Sequence, residues 1–251
     1  YGDDLSVGTR PVNISEAKII GHKRLVTDSY NITYNPGTLT VKAAGAQGGD
    51  VVERFDDVQD DTAWFYDAVY YARDNGLMSG YADSNLFGPA DSLTRAQAAM
   101  ILWRFFDAEN ANAYDAASAV NTTELPDVAD GAWYTGAANW AVANGVITGF
   151  VDEDGSATFA GDKNISREQL CTIVARAAAK FCGGAYSEAD AAALSAMPDA
   201  SDVSDWATDA VAWGLAHKVI SGVDKDGTRF VTPQGDVDRA QMAQIMMNAI
   251  E

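Results

Sequence analysis

The feature that most constrains the fold of this chain is an internal repeat. Three segments, residues 55–106, 125–177 and 197–250, present the same short phrases in the same order. Each opens with an acidic phrase, passes a tryptophan and a short apolar segment closed by glycine, and ends in a stretch that begins with an arginine phrase. Because a unit of roughly 50 residues buries too little surface to be stable alone, we expect the three copies to share one core.

Two aromatic residues, seven positions apart, mark the first helix of each repeat. The pairs are Trp64 with Tyr71, Trp133 with Trp140, and Trp206 with Trp213. Positions i and i+7 lie on one face of a helix, which predicts a helix with an aromatic stripe. We expect the second aromatic to pack in the core and the tryptophan, at the helix start, to be exposed.

The residues after this helix predict a turn and a small hairpin. In two repeats the helix is expected to end at Asn-Gly, a pair typical of a helix C-terminus in which the glycine is left-handed. These pairs are Asn75-Gly76 and Asn144-Gly145. The third repeat has His217-Lys218 at this position and departs from the pattern. The next apolar segment closes with glycine at Gly80, Gly149 and Gly222. Such a glycine indicates a bend or a close approach to the backbone. An acidic turn follows, and then Phe87, Phe159 or Phe230.

The second helix of each repeat begins at a capping box, in which an N-cap side chain and a glutamine three residues later bond each other's backbone. The pairs are Thr94 with Gln97, Ser166 with Gln169, and Asp238 with Gln241. An apolar residue precedes each cap and is expected to pack beside the first turn: these are Leu93, Ile165 and Val237.

An arginine follows each cap, at Arg95, Arg167 and Arg239, with constant spacing (167 − 95 = 72 and 239 − 167 = 72). The helix dipole makes a cation unfavourable there by roughly a few tenths of a kcal/mol. Two explanations stay open. Each arginine pairs with an acidic residue of a neighbouring repeat, or the guanidinium and the helix N-terminus bind an anion such as a carboxylate together. In the second case, substitution by alanine should leave stability almost unchanged.

The charge of the chain narrows the class of partner. The formal net charge is −19 and the sequence pI is about 4.2, which argues against nucleic acid or an anionic membrane surface. Any anionic ligand therefore needs a locally basic site. No apolar run is long enough to span a membrane, and a chain that begins at Tyr1 is expected to be part of a longer precursor.

The five ordered phrases resemble the S-layer homology (SLH) family over about residues 51–251. The resemblance implies a mainly α fold, in which three repeats form a pseudo-trimeric unit with a central three-helix bundle and short hairpins. It implies a secreted, non-catalytic module without a cofactor, located on the cell wall or S-layer. Its partner would be an anionic, pyruvylated secondary cell-wall polysaccharide bound in grooves between repeats.

The resemblance also implies roles for nine residues in these grooves. The arginines Arg95, Arg167 and Arg239 would hold the ketal carboxylate. The glycines Gly80, Gly149 and Gly222 would let the sugar approach the backbone, and the tryptophans Trp64, Trp133 and Trp206 would form the groove walls. Repeat three departs from the pattern, with nine residues rather than eight from Phe230 to Arg239 (239 − 230 = 9). We therefore expect the groove that it lines to be altered or empty.

The predicted organisation has five parts. Residues 1–44 form a partial β module of adhesin type, with a hairpin around Asn35-Pro36-Gly37. A linker covers residues 45–54, and the first SLH repeat covers residues 55–108. Residues 109–183 hold a linker and the second repeat, and residues 184–251 hold a linker and the third.

Two other functions compete with anchoring. A glycosidase would use two carboxylates, but the recurring acids Asp57, Asp127 and Asp199 are expected to be architectural. A calcium module is suggested by residues 152–155 and 224–227, which are similar to the start of an EF-hand loop. Both lack the later ligands of that loop, so we expect ordinary Asx-Gly turns.

Overall fold

The three repeats fold into a mainly helical unit, as predicted. The computed structural model describes residues 54–151, 155–183, 187 and 190–249, together with the backbone of four short strands nearer the N-terminus. Repeat one contains α1 (Tyr66–Asp74), α2 (Arg95–Phe106) and α3 (Ala108–Asn112). Repeat two contains α4 (Thr135–Ala143), β5 (Phe150–Val151), β6 (Ala157–Thr158) and α5 (Arg167–Cys182). Repeat three contains α6 (Ala191–Ser195), α7 (Thr208–Ala216), β7 (Val223–Lys225), β8 (Thr228–Phe230) and α8 (Arg239–Asn248).

The first compact unit of the chain, Tyr1–Glu53, contains the four N-terminal strands. Strand β1 (Gly8–Val12) pairs antiparallel with β4 (Gly37–Val41), and β2 (Ile20–Gly21) pairs antiparallel with β3 (Arg24–Leu25). The predicted hairpin therefore has its second strand, β4, but the partner seen for β4 is β1. Residues 29–36 and residues 45–53 of the predicted linker lie outside the described residues, and the adhesin-type module stays a prediction.

The centre of the second unit, Arg54–Glu251, is a closed ring of three backbone hydrogen bonds. The amide of Leu93 donates to the carbonyl of Val237 (2.7 Å), that of Ile165 to Leu93 (2.9 Å), and that of Val237 to Ile165 (3.0 Å). These are the apolar residues that precede the three caps, and all three are completely buried. Helices α2, α5 and α8 therefore start side by side around a pseudo-threefold axis.

Helix packing closes the same circle. Each capped helix packs on the first helix of the next repeat: α2 on α4, α5 on α7, and α8 on α1. Because α8 contacts α1, repeat three returns to repeat one, and a single apolar cluster includes side chains from all three repeats. The predicted pseudo-trimeric unit with a shared core is confirmed.

The recurring aspartates are structural, as predicted. The carboxylate of Asp57 accepts hydrogen bonds from the amides of Phe87 (2.8 Å) and Gly88 (2.7 Å), and Asp127 accepts the same pair of bonds from Phe159 and Ala160 (both 2.7 Å). Asp199 bonds the amides of Val231 (2.8 Å) and Thr232 (2.7 Å) instead.

These bonds correct the predicted alignment of repeat three. Val231, not Phe230, is the equivalent of the two buried phenylalanines, and it is itself fully buried. The step from Val231 to Arg239 is eight residues (239 − 231 = 8), as in the other repeats. Repeat three therefore has no extra residue in this step, whereas the interval from the glycine to the buried residue varies among the repeats (87 − 80 = 7, 159 − 149 = 10 and 231 − 222 = 9).

Candidate ligand-binding grooves

The arginine phrase forms a well-capped helix start in every repeat. Thr94 and Ser166 complete the predicted capping boxes with their glutamines. Asp238 accepts from the amide of Gln241, but the Gln241 side chain does not bond back. Instead, the Gln241 Oε1 accepts a hydrogen bond from the guanidinium of Arg167 (3.1 Å). The third predicted capping box is therefore only half formed, because its glutamine is used by the neighbouring repeat.

The helix N-termini are not available to a ligand. The amide of Arg95 donates to the carbonyl of Lys163 (3.0 Å), and the amide of Ala96 donates to that of Gly161 (3.0 Å). The equivalent amides of α5 and α8 are bonded in the same way by the loops before α8 and α2. The predicted anion site formed jointly by the guanidinium and the helix N-terminus is therefore wrong. Its backbone donors are already satisfied across the repeat interface.

Each arginine side chain also binds the next repeat. The Nε atoms of Arg95, Arg167 and Arg239 donate to the carbonyls of Phe159 (3.0 Å), Val231 (2.8 Å) and Phe87 (2.8 Å), respectively. All three residues are only 5–7% exposed. Among the described residues, no carboxylate lies within ion-pair distance, 4.0 Å, of these guanidinium groups. The structural explanation from sequence is therefore half right, since the arginines join repeats but bond carbonyls rather than acids.

The terminal nitrogens differ among the three arginines. Nη1 of Arg167 donates to Oε1 of Gln241 (3.1 Å), and Nη2 of Arg239 donates to the carbonyl of Ser79 (2.6 Å). Arg95 forms no such bond with a described residue; its guanidinium carbon lies 4.2 Å from the centre of the Phe150 ring. Desolvation by burial lowers the pKa of Arg95 to about 10, which the charge of Asp127 opposes and that of Arg176 reinforces. Arg95 is still charged at neutral pH.

The Arg95 groove is a cavity of about 220 Å³ to which all three repeats contribute. Repeat one supplies Arg95, and repeat three supplies Trp206. Repeat two supplies residues 147–150, which include Gly149, and one face of α5. That face contributes Gln169, Thr172, Ile173 and Arg176.

The Arg167 groove repeats this arrangement one step around the axis and is larger, about 680 Å³. Repeat two supplies Arg167, and repeat one supplies Trp64. Repeat three supplies residues 219–224, which include Gly222, together with Arg229 and one face of α8. That face contributes Gln241, Gln244, Ile245 and Asn248. In this groove Gln241 contacts the arginine, and the groove is the larger of the two. An altered or empty groove stays a prediction.

The third arginine, Arg239, contacts repeat one through its guanidinium group. The guanidinium of Arg239 meets the Ser79 carbonyl and lies 5.1 Å and 4.6 Å from the ring centres of Tyr81 and Phe87. By the same symmetry, Gly80 and Trp133 should complete this groove. A Cβ added at Gly80 would lie 2.6 Å from the Phe55 ring and 2.7 Å from the Leu86 carbonyl. This glycine is therefore required by its own repeat.

The other two glycines line grooves and also have a structural reason. Gly149 and Gly222 adopt φ angles of +80° and +77°, which favour glycine. A Cβ on Gly149 would lie 3.0 Å from the carbonyl of Thr158, and one on Gly222 would lie 3.0 Å from that of Phe230. Both tight contacts are with the adjacent hairpin. A role in sugar approach thus stays a prediction for all three glycines.

The tryptophans are exposed as predicted, although not on the helix. Trp64, Trp133 and Trp206 are 60%, 49% and 57% exposed. Each lies two residues before its helix begins, so the predicted i, i+7 stripe on one helix face is wrong. Of the second aromatics, Trp140 and Trp213 are buried and Tyr71 is half-buried against the core.

The sequence interpretation missed Arg176, which lines the Arg95 groove. Its signal was nevertheless present in the repeat, because Arg104, Arg176 and Asn248 occupy one column with the same spacing (176 − 104 = 72 and 248 − 176 = 72). The column was not noticed because its third member is not basic. At residues 224–227 the predicted Asx turn is present, with the amide of Gly227 bonded to Asp224 (3.0 Å); residues 152–154 lie outside the described residues.

Comparison with known proteins assigns the family. The S-layer homology domain matches residues 54–99, 124–171 and 196–243. The chain is 31% identical, over 74% of its length, to the surface-layer 125 kDa protein of Lysinibacillus sphaericus, of which it covers 14%. It is 28% identical, over 85% of its length, to exoglucanase XynX of Acetivibrio thermocellus, of which it covers 17%. It is 30% identical, over 69% of its length, to cell surface glycoprotein 1 of the same species, of which it covers 7%.

The chain thus spans less than a fifth of the length of these relatives. Among its described residues, no helix is long and apolar enough to cross a membrane. The matched ranges include all three capped helix starts and all three exposed tryptophans. On these grounds the chain belongs to the S-layer homology domain family.

Proposed function

We propose that the three repeats anchor a surface protein to the bacterial cell wall without a covalent bond, by binding an anionic, pyruvylated secondary cell-wall polysaccharide in the grooves. The relatives named as surface-layer and cell surface proteins locate the chain outside the cell, at the wall or S-layer. The observation that supports an anionic ligand is the lining of the Arg95 groove. A buried arginine there opens onto a cavity whose described lining contains no carboxylate.

The strongly negative net charge of the chain makes a basic groove unusual on this protein. A protein of net charge −19 repels a polyanion over most of its surface, so an acidic glycan needs a local basic site. The terminal nitrogens of Arg95 have no hydrogen-bond partner among the described residues. A planar guanidinium suits a carboxylate because it can donate two parallel hydrogen bonds. Burial strengthens such bonds, since water competes less for them.

The exposed tryptophan of each groove supplies the second recognition element. Small-molecule sites combine apolar and aromatic walls with a few polar groups that fix orientation. Trp206 in the Arg95 groove and Trp64 in the Arg167 groove are each more than half exposed. Each offers an indole face for the apolar side of a sugar and an N–H for a hydroxyl.

The geometry favours binding over catalysis. The three recurring carboxylates each accept two backbone amide bonds, so their role is structural. Neither groove presents a pair of carboxylates, which glycoside hydrolysis requires. The similarity to an exoglucanase covers 17% of that protein. It fits an anchoring module shared by proteins with different activities.

Sedimentation with isolated cell-wall sacculi tests this function. The purified chain should sediment with intact sacculi and remain in solution when acid extraction has removed the non-peptidoglycan polymer. The sacculi should show no release of sugar on long incubation, and a chelator should leave binding intact. Equal binding to extracted sacculi would contradict a polysaccharide ligand, and turnover abolished by one carboxylate substitution would favour an enzyme.

A further inference from the structure

The two grooves differ in charge. Arg95 and Arg176 both line the Arg95 groove, and its described lining includes no acid, so its formal charge is +2. The Arg167 groove contains Arg167 and Arg229 but also Asp224, so its formal charge is +1 (2 − 1 = 1). Two arginines that share a small cavity repel each other unless an anion lies between them. The Arg95 groove is therefore the more strongly selective for negative charge.

The hydrogen bonds point the same way. In the Arg167 groove, the Oε1 atom of Gln241 already accepts from the arginine. In the Arg95 groove, the equivalent glutamine, Gln169, bonds within its own capping box and forms no hydrogen bond with Arg95. Gln169 stays in its box because the amide of Ser166 donates to it (3.3 Å). A ligand carboxylate thus meets no competitor for the terminal nitrogens of Arg95 among the described residues.

The repeat symmetry makes Arg176 distinct. Its equivalent in repeat one, Arg104, donates to the carbonyl of Leu77 (3.1 Å) and is half-buried. Its equivalent in repeat three, Asn248, is neutral and donates to the carbonyl of Lys218 (3.1 Å). Arg176 is exposed, and among the described residues it forms no hydrogen bond or ion pair. It alone in this column is a cation free to meet a ligand.

We propose that Arg176 is a second ligand-binding arginine, which makes the Arg95 groove selective for an acidic sugar, whereas the Arg167 groove discriminates less by charge. This inference rests on the proposed function, because it assumes that the grooves bind the wall glycan. The acidic group would lie between Arg95 and Arg176, with the sugar ring against Trp206. Removing the Arg176 charge should weaken an acidic ligand about tenfold in this groove.

Each groove contains its own spectroscopic reporter. We suggest titrating the full chain, labelled with ¹⁵N at its tryptophans, with a pyruvylated monosaccharide and with the methyl ester of the same sugar. The indole N–H signals of Trp206 and Trp64 then report separate affinities for the two grooves. Trp206→Phe and Trp64→Phe assign the two signals. Well-dispersed spectra of each variant show that it is folded.

Arg176→Gln tests the proposal directly, because it removes the charge and keeps most of the length of the side chain. We expect the acid to bind about tenfold more weakly at Trp206 and to change less than about twofold at Trp64. The ester should bind equally well to both proteins. Arg176→Lys should lose only about threefold, since it keeps the charge without the planar fork. Lys180→Gln is the matched control, because it removes the same charge from an exposed position of α5 outside the groove.

The inference is overturned if Arg176→Gln binds the acid at Trp206 as tightly as the unmodified chain, or if it loses the acid and the ester equally. Either result leaves the proposed function in place when the unmodified chain binds the acid. Absence of binding to the unmodified chain at both tryptophans overturns the proposed function, and this inference with it.

Discussion

Replacing Arg167 by alanine should destabilise the fold, whereas the anion-site alternative from sequence predicted almost unchanged stability. The substitution removes the Nε bond to the carbonyl of Val231 (2.8 Å) and the Nη1 bond to Gln241 (3.1 Å). A hydrogen bond with a charged partner contributes about 1.5–3 kcal/mol, and a buried carbonyl left unsatisfied costs about 1–3 kcal/mol. Relief of the unfavourable cation at the helix start returns only a few tenths of a kcal/mol.

We therefore expect a net loss of about 2–3 kcal/mol. Urea denaturation followed by tryptophan fluorescence measures this loss as a lower midpoint with an unchanged slope. Thermal unfolding should shift by roughly 4–12 °C, given about 2–4 °C per kcal/mol for a unit of this size. Arg176→Ala is the control, because Arg176 is exposed and bonds no described residue; it should change stability by less than about 0.5 kcal/mol. A loss below about 0.5 kcal/mol for Arg167→Ala would refute the interpretation that this arginine joins the repeats.

Three further predictions concern the repeat architecture and the groove walls. Asp127→Asn should cost about 2 kcal/mol in urea denaturation, because its amide NH₂ would face one of the two backbone amides that the carboxylate now binds. A chain that ends at Gly183 should unfold with much lower cooperativity, because it lacks the contact of α8 with α1 and two hydrogen bonds of the central ring. Urea denaturation should then give a shallow curve, and a sharp, unshifted transition would contradict the shared core. Trp206→Ala should weaken glycan binding in the Arg95 groove about tenfold in a titration while leaving the unfolding midpoint nearly unchanged, because this side chain is 57% exposed.

Local sequence signals predicted the starts of the three capped helices to the residue. Thr94, Ser166 and Asp238 are N-caps as expected, and each arginine is the first residue of its helix. The signal works because capping depends on residues within one turn. The ends at Asn75 and Asn144 are also confirmed, and Lys218 adopts a φ of +57° where the other repeats have glycine. The third repeat therefore keeps the left-handed backbone conformation at this position with lysine in place of glycine.

The errors about the arginines and their helix N-termini arose from contacts between distant parts of the chain. The helix N-termini were expected to be free, but the carbonyls of residues 65 or more positions away occupy their amides, as Gly161 does for Ala96 (161 − 96 = 65) and Pro89 does for Ala240 (240 − 89 = 151). Gln241 leaves its capping box for an arginine of the previous repeat. No property of one repeat read alone predicts these bonds, because they appear only when the three copies close into a ring. The same closure brings Arg95, Arg176 and Trp206, one from each repeat, into one groove.

The most direct test of the proposed function is calorimetric titration of the full chain with a pyruvylated monosaccharide and with its methyl ester. A monovalent sugar avoids the avidity that would hide the loss of one groove on polymeric wall material. We predict that the acid binds and that the ester binds at least about tenfold more weakly to the Arg95 groove, because it removes the charge that Arg95 and Arg176 recognise. Equal affinity for the acid and the ester would contradict recognition of an acidic group by these arginines.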